Sequence, residues 1–419
     1  MPETGDTLSE QNSSISSEKE RLGTLEIIKV EAASFPEAHT ILAESVRDQV
    51  RHNVEHRLND MEQADFYESL NLASASISKF IENFVNNPEL TDKYKNVASE
   101  YLESLKVWSK TINFSEISHP YIQEAMSKKG VTGEELNILV GYMLQDETVG
   151  CQSGTYKQGE KVYIWHTEED VEDSPGDRFD RSRILQVSVR GNAAQVEDRY
   201  SFVYPDLLPG PAYCFGKDFF YCVDSQRAAE HNGTPDVPAN FVCWVMWRMG
   251  KDADAREIVD TFSPYTSGYT INTANIIRNE DGVELKAGKI EFAYDLVSEF
   301  TAAESKPLIS LNVPEKGSAL FNIDDPTYAE VEPWYKDRED RAQRLVGKLG
   351  NSHFGVNPYS LFRMLGNGLG NANEGAAFAN RDVKSYVVTE LSPDVTKVFA
   401  GPATADKGDW DSKVVRLEL

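Results

Sequence analysis

Few residues in this chain have the types and spacing to do chemistry. The stretch DETVGCQSGTY, residues 146–156, places Gly150-Cys151 where helix-like text ends and strand-like text begins. A cysteine there has two readings. One is a small buried hydrophobe at a strand start, the usual fate of a free thiol. The other is a nucleophile that becomes a new N-terminus. In that chemistry the thiol attacks the preceding carbonyl, an N→S shift gives a thioester, and water frees the Cys151 amine. An α-amine titrates at roughly 7.7–8.0 and can serve as base to its own thiol. Gly150 leaves the attacked carbonyl unhindered and tolerates a strained backbone.

Other candidates cluster downstream. YIWHTEED carries His166, Glu168, Glu169 and Asp170. The acids read either as a solvated loop after a strand or as site groups, with at least one expected in the site. Asp224, Asn272, Asn275 and Asn322 complete the polar candidates. For the asparagines the competing reading is a turn or a strand edge. Cys214, Cys222 and Cys243 lie in apolar text and read as core.

The elements that must position these groups follow from periodicity. Residues 1–22 read as a disordered polar tail, and residues 24–32 as a short strand. Residues 36–108 are helical, with apolar positions such as Phe66, Leu70, Ile77 and Phe80 at helical spacing. Thr132-Gly-Glu-Glu135 is a capping-box pattern before Leu136, Leu139, Val140 and Met143. After Cys151 come strands (KVYIWHT, ILQVSVRG, VEDRYSFVYP, FFYCVDS), then helices at VPANFVCWVMWRM and ADAREIVDTF. TINTANIIR and VELKAGKIEFAYDLV follow as strands about an Asp281-Gly282 hairpin, then a polar helix near Asp337 and two closing strands about Ser-Pro-Asp. Strands run in groups, which predicts an α+β fold. The expected division is a tail over 1–22, a mainly helical portion over 23–150 and a strand-rich portion over 151–419. LGNGLGN, residues 365–371, reads as a loop because no strand precedes it.

Composition narrows the function. With 42 Lys+Arg against 68 Asp+Glu, the formal charge is -26. Such a field repels phosphate backbones and anionic lipid, so neither nucleic acid nor a membrane is expected as partner. Four cysteines without a CxxC pair do not make a disulfide framework, and seven histidines without HExxH give no metal signal. The polar N-terminus and the lack of a long apolar run lead to the expectation of a soluble, cytoplasmic protein.

From about Ile117 onward, roughly 70% of the chain resembles the acyl-coenzyme A:6-aminopenicillanic acid acyltransferase family of N-terminal nucleophile (Ntn) hydrolases. GCQSGT resembles the cleavage site, YIWHTEED the H-N-E-D run on the next strand, PGPAYCFGKDFFYCVDS the glycine-rich strand pair, and GYTINTANIIRNEDG the segment with an oxyanion-donating Asn. The resemblance implies a four-layer αββα fold and a cut between Gly150 and Cys151. Cys151 is then the nucleophile, Asn275 the oxyanion donor with Asn272 its rival, and Glu169 the acid that orients amine and substrate. His166 could serve as a general base, but in this fold the amine takes that role, which makes it a structural histidine near the pocket. The implied activity is cleavage or transfer of the acyl group of a small linear amide through an acyl-Cys intermediate. No cofactor or metal is needed, and the cut chains stay associated, with a homo-oligomer an open possibility. Trp165, Phe219, Phe220 and Tyr221 suggest an apolar pocket. Several positions depart from the family. Thr167 replaces an Asn, Asp224 stands where an Asn is common, and Asn322 lacks its two flanking histidines. These losses support the alternative of a non-catalytic binding or scaffolding relative.

Overall fold

The computed structural model of the chain describes residues 16–22, 25–146, 150–169, 183–189, 198–225, 237–280, 282–310, 314–315, 317–320, 340, 343–344, 346–348, 356–358, 361, 383–402 and 415–419. Its helices and strands form a mixed α+β architecture with two sheets.

Two strands, β1 (Ser16–Leu22) and β2 (Leu25–Ala32), precede the helical block. β1 corrects the expected tail. Its SSEKERL sequence is polar because it is an edge strand, paired only with β2 among the described residues, where charge deters further pairing. The block holds α1 (Phe35–Asp60), α2 (Gln63–Phe80), α3 (Asp92–Ile112), α4 (Pro120–Lys128) and α5 (Gly133–Met143). Local chemistry sets the boundaries. The Ser34 hydroxyl caps α1 by accepting from Glu37 N at 3.3 Å, and Pro36 pre-sets its first turn. Asn113 ends α3 in the left-handed region at φ 60°. The Thr132 cap forms as its sequence predicts, accepting from Glu135 N at 3.2 Å.

The remaining strands are β3 (Gly150–Gln158), β4 (Lys161–Glu169), β5 (Arg183–Val189), β6 (Arg199–Val203), β7 (Tyr213–Phe215) and β8 (Phe219–Ser225). Helices α6 (Asn240–Met249) and α7 (Ala255–Phe262) follow. Then come β9 (Tyr269–Asn279), β10 (Gly282–Ala293), β11 (Leu296–Thr301), β12 (Leu308–Ser310), β13 (Val383–Leu391), β14 (Thr396–Pro402) and β15 (Val415–Glu418). The expected single strand VELKAGKIEFAYDLV is two, broken at Tyr294 with φ 54°. Of the expected helix near Asp337, the described residues 340, 343–344 and 346–348 are helical. LGNGLGN and Asp337 itself lie outside the described residues.

A large sheet runs β1-β2-β5-β6-β7-β8-β9-β10-β11, and a small one β12-β3-β4-β13-β14-β15. Every pairing is antiparallel except β2 with β5. One face of the large sheet carries Val30, Val187, Tyr221, Ile271 and Phe292, packed in one core with the helices. Its other face packs on the small sheet through Phe220, Ala274 and Ile276 against Ile164, Val387 and Val398. The expected division at residue 150 is therefore not a break in packing: β2, from the N-terminal portion, is an interior strand of the large sheet.

Candidate functional site

Cys151 occupies the second position of β3 and pairs with Glu168 on β4; Ser153 pairs with His166. Residues two apart on a strand share a face, so these four side chains project together. They face the large sheet, where Asp224 on β8 (paired with Thr270) and Asn272 on β9 (paired with Cys222) lie diagonally on one face. The space between the sheets thus has an apolar part, built on Ile164, Phe220 and Ala274, and a polar part built on Cys151.

The polar part is a buried network with consistent hydrogen-bond directions. Cys151 Sγ donates to Glu168 Oε1 across 3.7 Å, and His166 Nε2 contacts the same oxygen. The Tyr204 hydroxyl donates to Glu168 Oε2. His166 Nδ1 lies 2.7 Å from Ser153 Oγ. Ser153 donates to Asp224 Oδ1 at 2.9 Å, which leaves its lone pairs to accept from His166. Asn272 Nδ2 donates to Asp224 Oδ2 at 3.2 Å, and Ser310 donates to Asn272 Oδ1 at 3.0 Å. Both ring nitrogens of His166 therefore act as donors, the pattern of an imidazolium. Cys151 is 2% exposed, while His166, Glu168, Asp224 and Asn272 are fully buried.

Electrostatics fit that pattern. Burial pushes the Cys151 thiol well above its usual range, and the Glu168 charge adds to the effect. Burial alone would lower His166, but Glu168 and the hydrogen bonds outweigh it and hold the ring well above 6.5. Burial raises Asp224 to about 7 despite the opposing pull of His166 and Ser153. These shifts favour a neutral Cys151 thiol and a protonated His166. Glu168 is placed to receive the thiol proton.

The loop after β6 supports this site. Residues 204–212 are all buried. Gly210 adopts φ 128°, and a Cβ there would meet Trp244 N at 2.6 Å, so only glycine lets the loop press on α6. The same loop holds the segment before the strand: Leu208 N donates to Gln145 Oε1 at 3.0 Å, and Asn240 bonds the Gln145 carbonyl.

The structure sorts the sequence candidates. Cys151, His166, Glu168, Asp224 and Asn272 come together. Asn275 does not. Three residues from Asn272 on the same strand, it lies on the opposite face, donates to Ala253 O at 3.1 Å, and borders a groove of about 640 Å³ with Lys251 and Arg256. Glu169 pairs with Gly150 rather than Cys151, one register position beyond Glu168. Asp170 and Asn322 lie outside the described residues. The expected aromatic pocket is packing instead. Phe219 and Tyr221 belong to the helix-side core and Phe220 to the inter-sheet core, and Trp165 lies against Gly154 on the far face of the small sheet. Cys214, Cys222 and Cys243 are buried free thiols, as expected, and Cys222 also reaches Ser153 Oγ at 3.4 Å. Sequence reasoning missed Ser153, Tyr204 and Ser310. The i, i+2 pairs Cys151/Ser153 and His166/Glu168 could have found the first, once the two strands are paired.

No protein-family model and no curated protein matches the chain.

Proposed function

We propose that the chain is a self-processing cysteine amidohydrolase or acyltransferase of the Ntn type. One observation carries the reading: Cys151 is the second residue of a strand, directly after a glycine, with its sulfur 3.7 Å from the buried side chain of Glu168. In the first step the thiol proton passes to Glu168 and the sulfur attacks the Gly150 carbonyl carbon. The C–N bond to Cys151 breaks, its nitrogen takes a proton, and a thioester remains. Water hydrolyses it, leaving a Gly150 carboxylate, a free thiol and a free α-amine. In turnover the same thiol attacks a small linear amide, the amine moves the proton, and an acyl-Cys thioester forms. Water completes hydrolysis; an amine acceptor completes transfer. Asn272 takes the oxyanion-donor role first assigned to Asn275, because it faces the cysteine's side of the large sheet.

The layering supports the proposal. Two sheets pack face to face with helices on one outer face. The other outer face is covered as well, since Tyr163 and Trp165 are buried there as fully as Val162 and Ile164 are within. A four-layer αββα fold requires cover on that face too, and this burial agrees with it. The cut would leave β2 bonded to β5 of the other fragment, so the two pieces stay together. Among the described residues no helix is long and apolar enough to cross a membrane.

Intact mass of the purified chain beside Cys151→Ala tests the reading. Two fragments, ending at Gly150 and starting at Cys151, are expected in the parent and one whole chain in the variant. A parent that stays whole through long incubation with a chelator present defeats it and favours the scaffolding alternative.

A further inference from the structure

Three donors of different chemistry converge between the sheets. Cys151 Sγ, His166 Nε2 and Glu168 Oε1 all lie within 4.8 Å of one another, and all three residues are buried. Ligands around one small tetrahedral ion with bonds of roughly 2.0–2.3 Å fall inside that radius but stand farther apart than the hydrogen-bonded His166–Glu168 pair, so an ion would enter by replacing that hydrogen bond. The sequence hides the set because it comes from two paired strands, at positions 151, 166 and 168, with no HExxH or CxxC spacing.

We propose that Cys151, His166 and Glu168 form a transition-metal site, with Zn2+ the best-fitting ion, that holds the thiol in an unreactive state. A thiolate, an imidazole and a carboxylate together suit Zn2+ rather than Mg2+ or Ca2+, which prefer oxygen alone. Three protein ligands leave the fourth position open. The charges also balance: one thiolate and one carboxylate against a divalent ion leave no net charge in a buried place.

Independent support comes from the second layer of contacts. Metal-binding histidines are held through their other ring nitrogen, and metal-binding carboxylates through their free oxygen. Both features are present. His166 Nδ1 is fixed by Ser153, which Asp224 fixes in turn, and Glu168 Oε2 is fixed by Tyr204. On binding, the thiol and the imidazolium each release a proton and the sulfur becomes the ligand. A coordinated sulfur has its lone pair engaged and Glu168 no longer accepts its proton, so attack on any carbonyl stops. The blocking role rests on the proposed function; the binding itself does not.

The test is cobalt substitution in the full chain, stripped with a chelator and titrated with Co2+. A thiolate-to-cobalt charge-transfer band saturating at one ion per chain is expected. Cys151→Ser should abolish that band, while Cys222→Ala should keep it. Ser153→Ala should weaken the affinity by ~10–100-fold, as loss of an outer partner does. Ser153→Ala removes no ligand, so it keeps the test meaningful if a ligand variant fails to fold. Absence of the band in the parent, or its survival in Cys151→Ser, overturns the site. Intact mass of the same samples, with and without Zn2+, reads the blocking role separately: cutting only in the stripped chain is expected, and cutting at the same rate with metal bound overturns that role. A chain with a full cobalt band that never cuts would sink the self-processing reading and the block while leaving the site.

Discussion

Cys151 and Glu168 face each other across the β3–β4 ladder, and the thiol donates to Glu168 Oε1 across 3.7 Å. If that carboxylate takes the first proton, Glu168→Gln keeps the shape and removes the base. Self-processing should slow by ~10²–10⁴-fold, the usual worth of a positioned base. The measurement is the fraction cut over time by intact mass. An unchanged rate would assign the proton to another group.

Asn272 and Asn275 differ by three residues on one strand and so by one face. Asn272→Ala should lower turnover of an amide substrate by ~10²–10³-fold, as loss of an oxyanion donor does. Asn275→Ala, which removes the bond to Ala253 O on the opposite face of the sheet, should leave the rate nearly unchanged. Thermal melts of both variants separate a catalytic loss from a folding loss. The reverse ranking would restore Asn275 to the role the resemblance gave it.

The asparagine pair shows where sequence reading stops. Local signals were legible: the Thr132 cap, the helices from α1 to α3, and the Ser392-Pro393-Asp394 turn between β13 and β14. Those depend on a few adjacent residues. The choice between Glu168 and Glu169 depends on strand register, which a one-residue slip inverts. Tyr204 and Ser310 enter through contacts with distant strands, so no local pattern marks them. The polar run 16–22 looks unable to fold alone and is a strand only because β2 offers it an edge.

Gly154 and Trp165 are cross-strand partners, and a Cβ on Gly154 would lie 2.0 Å from Trp165 Cζ2. Trp165 is fully buried and cannot swing away. Gly154→Ala should therefore destabilise the fold by ~1–3 kcal/mol through overpacking. Pairing it with Trp165→Phe should return part of the loss. Denaturant unfolding of the single and double variants measures both effects, and additive losses would rule out the proposed clash.

Lys289 bridges the sheets from β10. Its ammonium donates to Ile309 O at 3.0 Å and Glu315 at 2.6 Å, and lies 3.3 Å from Glu291. Lys289 and Glu291 are each 1% exposed. Lys289→Met would strand the Glu291 charge, a change worth ~3–5 kcal/mol of lost stability. Adding Glu291→Gln should recover much of it. Equal stability of Lys289→Met and the parent would mean that the pair contributes nothing net.

His39 links the helical block to α6 and gives the fold a pH dependence remote from the candidate site. Its Nδ1 donates to Phe35 O at 2.6 Å, and its Nε2 accepts from Trp244 Nε1 at 3.3 Å. The bond from Trp244 requires the neutral ring, since a protonated Nε2 cannot accept. Burial lowers its pKa from 6.5 to about 4, against the pull of the Phe35 carbonyl. The folded value lies below the unfolded one, so the unfolded chain binds the proton first. The resulting stability is fully present above pH 6.5, falls as pH drops through that window, and is gone below about 4. Its full size is about 3 kcal/mol. Denaturant unfolding across that window should show a shallower loss in His39→Gln than in the parent. Parallel curves would mean that His39 titrates alike in both states and that the Trp244 contact does not hold it neutral.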